Sequence, residues 1–481
     1  MAGAVVAVLV IGILVVTDAT AVVDPACVTQ RPAVAHRPSG AVVKERRRWI
    51  PCVYRTGRRA MEPSLAFASD GRLLFQAWEL RTGFPGGAPP MPALLRREFG
   101  GAWSDVSPGG AGTHPTSLDP YMHVDRATGR IFTLDWIAHG VPFCSTLSFS
   151  DDNGDSWTTT PLACGGFDGE SIGTGPPVTS RPIGYPNLVY YCTGASLGSG
   201  DPLTTPSCSK SLDGGLTFLP TGGIPYQLTG AEGIFPGWAG DPTVGPDGTL
   251  YLPKRHEGMP QVAISTDEGA TWTRVVVARN GSAGAAPRMS VAPDGTLAYT
   301  WIADDHLPYV AISRNGGRRW SRPIEIAPPG VDEAALARVA SGPRGTLAIA
   351  YVGTTNAPGG RPYYAYCNVL LSDCDDGRYA GVRWNGYLAL LERPATPHPV
   401  IRTTTVNAPG SPIFVGGCSA DGACKAVLDF VDLDFDRSGV PWAAFVDDCA
   451  MARDFTPIFT ASAAACGDGV GEGVVLKLGR S

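Results

Sequence analysis

Four octapeptides in this chain share one pattern, Ser-x-Asp/Asn-x-Gly-x-x-Trp/Phe, at residues 150–157, 211–218, 265–272 and 313–320. A degenerate fifth copy ends at Trp103, with Glu98 in the carboxylate position and Gly100 in the glycine position. One copy would mean little, but five in series, roughly fifty residues apart, mark a repeat architecture. The pattern suits a turn between two strands. Asp or Asn accepts hydrogen bonds from N–H groups of its own turn, Gly supplies φ > 0 without a Cβ clash, and the aromatic tucks against neighbouring sheet. Such a turn is a structural staple, so Asp152, Asp213, Asp267 and Asn315 are not expected to do chemistry.

A second repeat interleaves with the first: an apolar strand, a tight turn ending in Gly, and another apolar strand. Its copies start at Pro63, Pro120, Pro242, Pro287, Ala337 and Val431, with a poorer one over residues 177–191. Hairpin, loop, strand, turn box and strand make four antiparallel strands per unit. The fold expected is therefore all-β, a seven-bladed β-propeller of four-stranded antiparallel blades. Six or eight blades also fit, because residues 353–428 are long for one blade and contain an insertion. Composition agrees: 61 Gly and 43 Pro in 481 residues, with no collagen period, suit many short strands and exclude a coiled coil or helical bundle. The net charge of −6 gives no support to nucleic-acid binding.

Residues 4–16 are uniformly apolar and are followed by Ala19 and Ala21 at the small-residue positions of a signal-peptidase site. The run is shorter than the ~20 residues a spanning helix needs. The expected division is a signal peptide over 1–21, a basic arm over 22–60 and the propeller over 61–481. The arm holds nine basic residues against Asp24 and Glu45 and is expected to lie over the acidic body or stay loose. The twelve cysteines fall into sequence-local pairs: Cys27 with Cys52, Cys144 with Cys164, Cys192 with Cys208, Cys367 with Cys374, Cys418 with Cys424, and Cys449 with Cys466. No CxxC occurs, so disulfides in an oxidising compartment are favoured over zinc, although the connectivity stays open.

The turn boxes resemble the Asp-box, or BNR, repeats of sialidases and of the wider set of sialidase-like propellers, some of them other glycoside hydrolases and some non-catalytic receptors. Residues 416–439 are similar to the last-blade region of secreted bacterial proteins labelled exo-sialidase-like. The resemblance covers about 61–481 and implies a secreted propeller that acts on glycans. Sialidases carry an Arg-Ile-Pro motif, three arginines for the sugar carboxylate, a Tyr–Glu nucleophile pair and an Asp acid. This chain departs from that set. Its first blade reads RTGRRAMEPS, and Arg181-Pro182-Ile183 is scrambled and set in a turn.

Chain direction places the faces. If the boxes join outer strands on one face, the inner strands start on the other, where the loops joining second and third strands also lie. Counting seven residues back from each hairpin glycine gives Ser64, Asp241, Arg288, Arg338 and Asp432 near the axis, with Glu62 and Asp119 close by. Glu62 and Asp241 are the acid or base candidates, since glycosidases need a proton donor and a second carboxylate. Arg288 and Arg338 are candidates for recognising an anionic group, with Asp119 and Asp432 beside them in the binding set. The competing reading is that these arginines simply pair with Asp241 and Asp432 in a channel.

Loops on the same face add His139, His256, Glu257, Asp304, Asp305, His306, Arg361, Asp447 and Asp448. None matches a calcium loop of known spacing, and neither metal nor cofactor is expected. Trp78, Trp136, Trp301 and Trp442 read as core filler ahead of sugar-stacking platforms. The function expected is a secreted, sialidase-like glycoside hydrolase acting on a glycan or glycoconjugate, with a non-catalytic carbohydrate- or protein-binding propeller as the alternative. The location expected is extracellular or at the cell surface, with no stable membrane span.

Overall fold

The computed structural model describes residues 32–480, apart from 39, 46–48, 80–90, 110–116, 138–143, 165–168, 194–205, 228–238, 361–378, 380, 395, 397, 409, 419–423, 426–430 and 452–470. The stretch read as a signal peptide lies outside these residues, as do His139 and Arg361. Among the described residues, helix is limited to one α turn, Asp448–Met451, and one 3-10 turn, Pro343–Gly345. None of these helices is long and apolar enough to cross a membrane.

The strands form antiparallel sheets of four, numbered here in chain order. Their inner strands are the second part of Trp49–Phe67, then Ser117–Val124, Ser171–Gly175, Thr243–Val244, Ala283–Val291, Glu333–Ser341 and Asp432–Phe435. Every inner strand but the third pairs with the next strand through the hairpins read from the second repeat. The third sheet departs from that reading. Its inner strand is Ser171–Gly175 and pairs with Leu188–Thr193, so most of residues 177–191 is a long turn.

Each inner strand touches the next one along the chain, and Asp432–Phe435 touches Trp49–Phe67 again. Separate apolar clusters fill the spaces between neighbouring sheets. Ala66, Leu74, Met122 and Ile131 lie between the first two; Phe132, Leu147, Ile172 and Tyr191 lie between the second and third. Ala348, Leu388, Phe445 and Leu476 join the sixth and seventh, and Leu65, Phe75, Ala444 and Val475 the seventh and first. Both faces of these sheets are therefore buried, which explains the low charge content. The arrangement is propeller-like.

Strand Trp49–Phe67 serves two sheets. Residues 49–60 pair with Gly471–Arg480 as the outer strand of the seventh sheet, while 61–67 pair with Leu73–Glu79 in the first. Val34–His36 adds a strand beside Val400–Thr405 of the sixth sheet. Part of the presumed basic arm is thus sheet, and Glu45 pairs with Arg402 at 2.5 Å. Charge suggested a solvated segment, but strand pairing at the junction of the chain ends dominates.

All four octapeptides form one hydrogen-bonded turn, between the third and fourth strands of sheets two to five. In the box at 265–272, Ser265 Oγ donates to Asp267 Oδ1 (2.7 Å) and accepts from Gly269 N (2.7 Å), while Asp267 Oδ1 accepts from Thr271 N (2.8 Å). Gly269 has φ 85°, and a Cβ there would lie 2.6 Å from the Thr221 side chain. Trp157 donates its indole N–H to Val106 O of the preceding sheet (2.7 Å). The fifth copy is different. Glu98 binds Arg72 (2.8 Å) and Arg96 (2.9 Å) in place of its own turn.

The register sets Cys144 opposite Cys164, Cys192 opposite Cys208 and Cys418 opposite Cys424. Cys192 and Cys208 are bonded, and Cys52 and Cys449 are each in a disulfide. Cys27, Cys367, Cys374 and Cys466 lie outside the described residues.

Candidate functional site

Inner strands are hydrogen-bonded to a sheet on one side only, so their other edge borders the axis. Four of them carry a register shift, between Met61 and Ser64, Leu118 and Tyr121, Ala283 and Arg288, and Ala335 and Arg338. Bulges re-aim the side chains that follow them. Here those side chains are Ser64, Tyr121, Arg288 and Arg338. Glu62 and Leu336 sit inside two of the shifts with φ of 54° and 58°, a conformation that costs on the order of 1 kcal/mol for a residue with a Cβ.

The residues counted back from the glycines do converge. Arg338 Nη1 bonds Asp241 Oδ2, and Arg338 Nε lies 2.5 Å from Asp432 Oδ1. Arg288 Nη1 is 3.5 Å from Asp241 Oδ1, a looser pair. Asp432 Oδ2 also accepts from Ser64 Oγ (3.1 Å) and Leu65 N (2.7 Å). Tyr121 Oη is 3.5 Å from Arg338 Nη2. One guanidinium thus ties together the second, fourth, sixth and seventh sheets.

Electrostatics separate the two carboxyl groups. Burial opposes ionisation of Asp241, but the charges of Arg288 and Arg338 outweigh it and hold its pKa below the ordinary value. Burial dominates at Asp432, whose pKa is raised despite the charge of Arg338. The Tyr121 phenol is pushed up by burial and by the Asp241 charge, so it remains protonated. Arg338 is held cationic, because Asp241 and Asp432 outweigh its burial.

Glu62 is buried, two residues before Ser64. The Asp119 side chain lies outside the described residues, although its backbone falls in the second register shift. Tyr121 was missed by counting, because the turn that ends at Gly129 is one residue longer; its place directly after Pro120, like Arg288 after Pro287, was the available signal. Among the loop residues, His306 has its Nδ1 3.9 Å from Glu333 of the sixth inner strand, which accepts from Tyr379 Oη (2.8 Å). Asp447 binds Arg55 (3.0 Å), and Asp305 accepts from Tyr309 Oη (2.7 Å). Trp301 and Trp442 are buried, against Tyr309 and Tyr54, and act as core. Among the described residues, no three His, Cys, Asp or Glu side chains are grouped to hold a metal ion.

No family model matches the chain, and no curated protein matches it. Solved structures with a similar backbone include the intramolecular trans-sialidase of Ruminococcus gnavus, at 13% identity and TM-score 0.37 over 89% of this chain and 96% of that one. The α-L-arabinofuranosidase of Fusarium graminearum is similar at 13% identity and TM-score 0.40, over 62% of this chain and 89% of that one. The α-L-arabinanase of Penicillium chrysogenum is similar at 14% identity and TM-score 0.38, over 73% and 95%.

Proposed function

We propose that this chain is an exported, seven-bladed Asp-box propeller that hydrolyses glycosidic bonds at the Arg338 cluster. The observation that carries the reading is the pair Asp241 and Asp432. Both bond the same guanidinium, yet their ionisation is driven in opposite directions. Two carboxyl groups with separated pKa values supply the acid and base of glycoside cleavage. In this scheme Asp432, the carboxyl whose ionisation burial opposes, donates a proton to the leaving oxygen, a role the sequence offered to Glu62. Asp241, ionised, attacks the anomeric carbon or draws a proton from the water that does. Arg288, with one loose partner, receives an anionic group of the substrate.

Turnover of a panel of aryl glycosides, a sialoside included, by the wild type, Asp241→Asn, Asp432→Asn and Glu62→Gln tests this. Losing a positioned acid or base lowers the rate by about 10²–10⁴-fold. In the wild type, turnover should fall as pH rises and Asp432 loses its proton, and that limb should vanish in Asp432→Asn. Unchanged turnover in both aspartate variants would remove the site.

A second reading, non-catalytic binding of a glycan or protein, draws on the fact that Arg338 is occupied on both sides by carboxylates. Glycan-array binding with no turnover of any glycoside would select it. Export rests on the apolar run at 4–16 and the paired cysteines, and recovery from the culture medium of a chain beginning near residue 22 is its test.

A further inference from the structure

A cavity of about 620 Å³ lies along the axis below the Arg338 cluster, on the side of the box turns. Tyr121, Asp241, Arg338 and Asp432 line it, together with Arg126 and Asp434. Its size falls in the range of small-ligand sites. Small residues widen it where the sheets approach the axis: Ala66, Gly173, Thr243, Ser290 and Ala340. The free edges of the inner strands turn backbone N–H and C=O groups towards this space, and such groups need hydrogen-bonding partners.

The charge of the wall is unbalanced. Along the lining, Asp125, Asp241 and Asp434 face only Arg126 and Arg338, so carboxylates are in excess there even with Asp432 protonated, and Arg288 stands on the far side of Asp241. His123 adds no positive charge, because burial lowers its pKa to about 4. Asp434 binds Arg126 and Phe435 N through Oδ1, and no hydrogen bond reaches its Oδ2 among the described residues. Arg126 is mostly solvent-exposed, and burial raises the Asp434 pKa in spite of its charge.

We propose that this cavity binds a small polyhydroxylated ligand carrying a protonated amine, an aminosugar either free or at the end of a glycan. The ammonium group sits on Oδ2 of Asp434, and the hydroxyls meet the strand edges. The claim goes beyond the hydrolysis proposed above, since it needs no bond cleavage and rests on Asp434 rather than on the pair Asp241 and Asp432.

Calorimetric titration of the full chain with glucosamine, glucose, N-acetylglucosamine and the β-1,4-linked glucosamine dimer tests it. Glucosamine should bind at least tenfold more tightly than either neutral sugar. Asp434→Asn should erase that preference, and Arg126→Ala, which removes an exposed competitor cation, should tighten glucosamine binding several-fold. A dimer that binds more tightly than the monomer identifies a glycan end as the ligand, and equal affinities identify the free sugar. Equal binding of charged and neutral sugars to the wild type, no heat from any of them at tens of millimolar, or a preference that survives Asp434→Asn overturns the proposal. Should Asp434→Asn fail to fold, Arg126→Ala decides alone: unchanged or weaker glucosamine binding overturns the proposal.

Discussion

The guanidinium of Arg338 bonds the carboxylate of Asp241, 97 residues earlier in the chain and two sheets away. Arg338 also bonds Asp432, and Asp241 also faces Arg288, so these four side chains neutralise one another where burial withholds water. Removing one member of a buried pair leaves an uncompensated charge, and that penalty exceeds the net worth of the pair itself.

Arg338→Ala should therefore destabilise the fold by about 3–5 kcal/mol. Urea denaturation followed by tryptophan fluorescence measures the loss. Asp241→Leu combined with Arg288→Met, Arg338→Met and Asp432→Asn should recover much of it, because no buried charge of the cluster is then left alone.

Arg288 should behave differently. Its one ion pair among the described residues is loose, at 3.5 Å, and Asp241 keeps Arg338 as a partner, so Arg288→Ala should cost less stability than Arg338→Ala in the same urea experiment. The same variant should weaken binding of a carboxylated sugar at least tenfold while sparing a neutral one, a split that equilibrium titration resolves.

Asp135 gives the molecule a pH dependence of its own. It is buried in the second strand of the second sheet, and desolvation raises its pKa to about 7. The unfolded value is about 3.9. Because the folded-state value is the higher one, the penalty is absent below pH 4, grows as pH rises towards 7 and is complete above it. Asp135→Asn should leave stability unchanged near pH 4 and raise it by on the order of 2–4 kcal/mol at pH 8. Equal effects at both pH values in denaturation curves would contradict the assignment.

The box turns shift an acid the other way. Hydrogen bonds from the Ser156 side chain and backbone hold the Asp152 pKa down to about 2. A depressed value stabilises the fold above the ordinary aspartate range, and the benefit fades as pH falls through 2. Ser156→Ala should move the NMR titration midpoint of Asp152 upward. Ser150→Ala should cost about 1 kcal/mol, the usual worth of such a hydrogen bond.

The turn boxes and hairpins were legible because their residues act locally: a Ser, Asp and Gly within eight positions carry the whole turn. Asp241, Arg288, Arg338 and Asp432 could be aligned because their hairpins hold the same number of residues between axis and glycine. Tyr121 escaped because one extra residue in residues 125–129 breaks that count. The pKa separation of Asp241 and Asp432 was not legible, since it depends on which carboxylate lies nearer to two arginines. Residues 49–60 were misread because their partner strand lies over four hundred residues away, beyond any local pattern.

The strand Trp49–Phe67 has a consequence for biogenesis. Residues 49–60 meet their partner only when residues 471–480 have left the ribosome. Until then, residues 49–60 carry an unmatched ribbon edge that could zip onto a stranger. Arg55, Arg58 and Arg59 lie on that ribbon, and like charges repel a second copy of it. These basic residues of the expected arm thus guard the seam until its other half arrives.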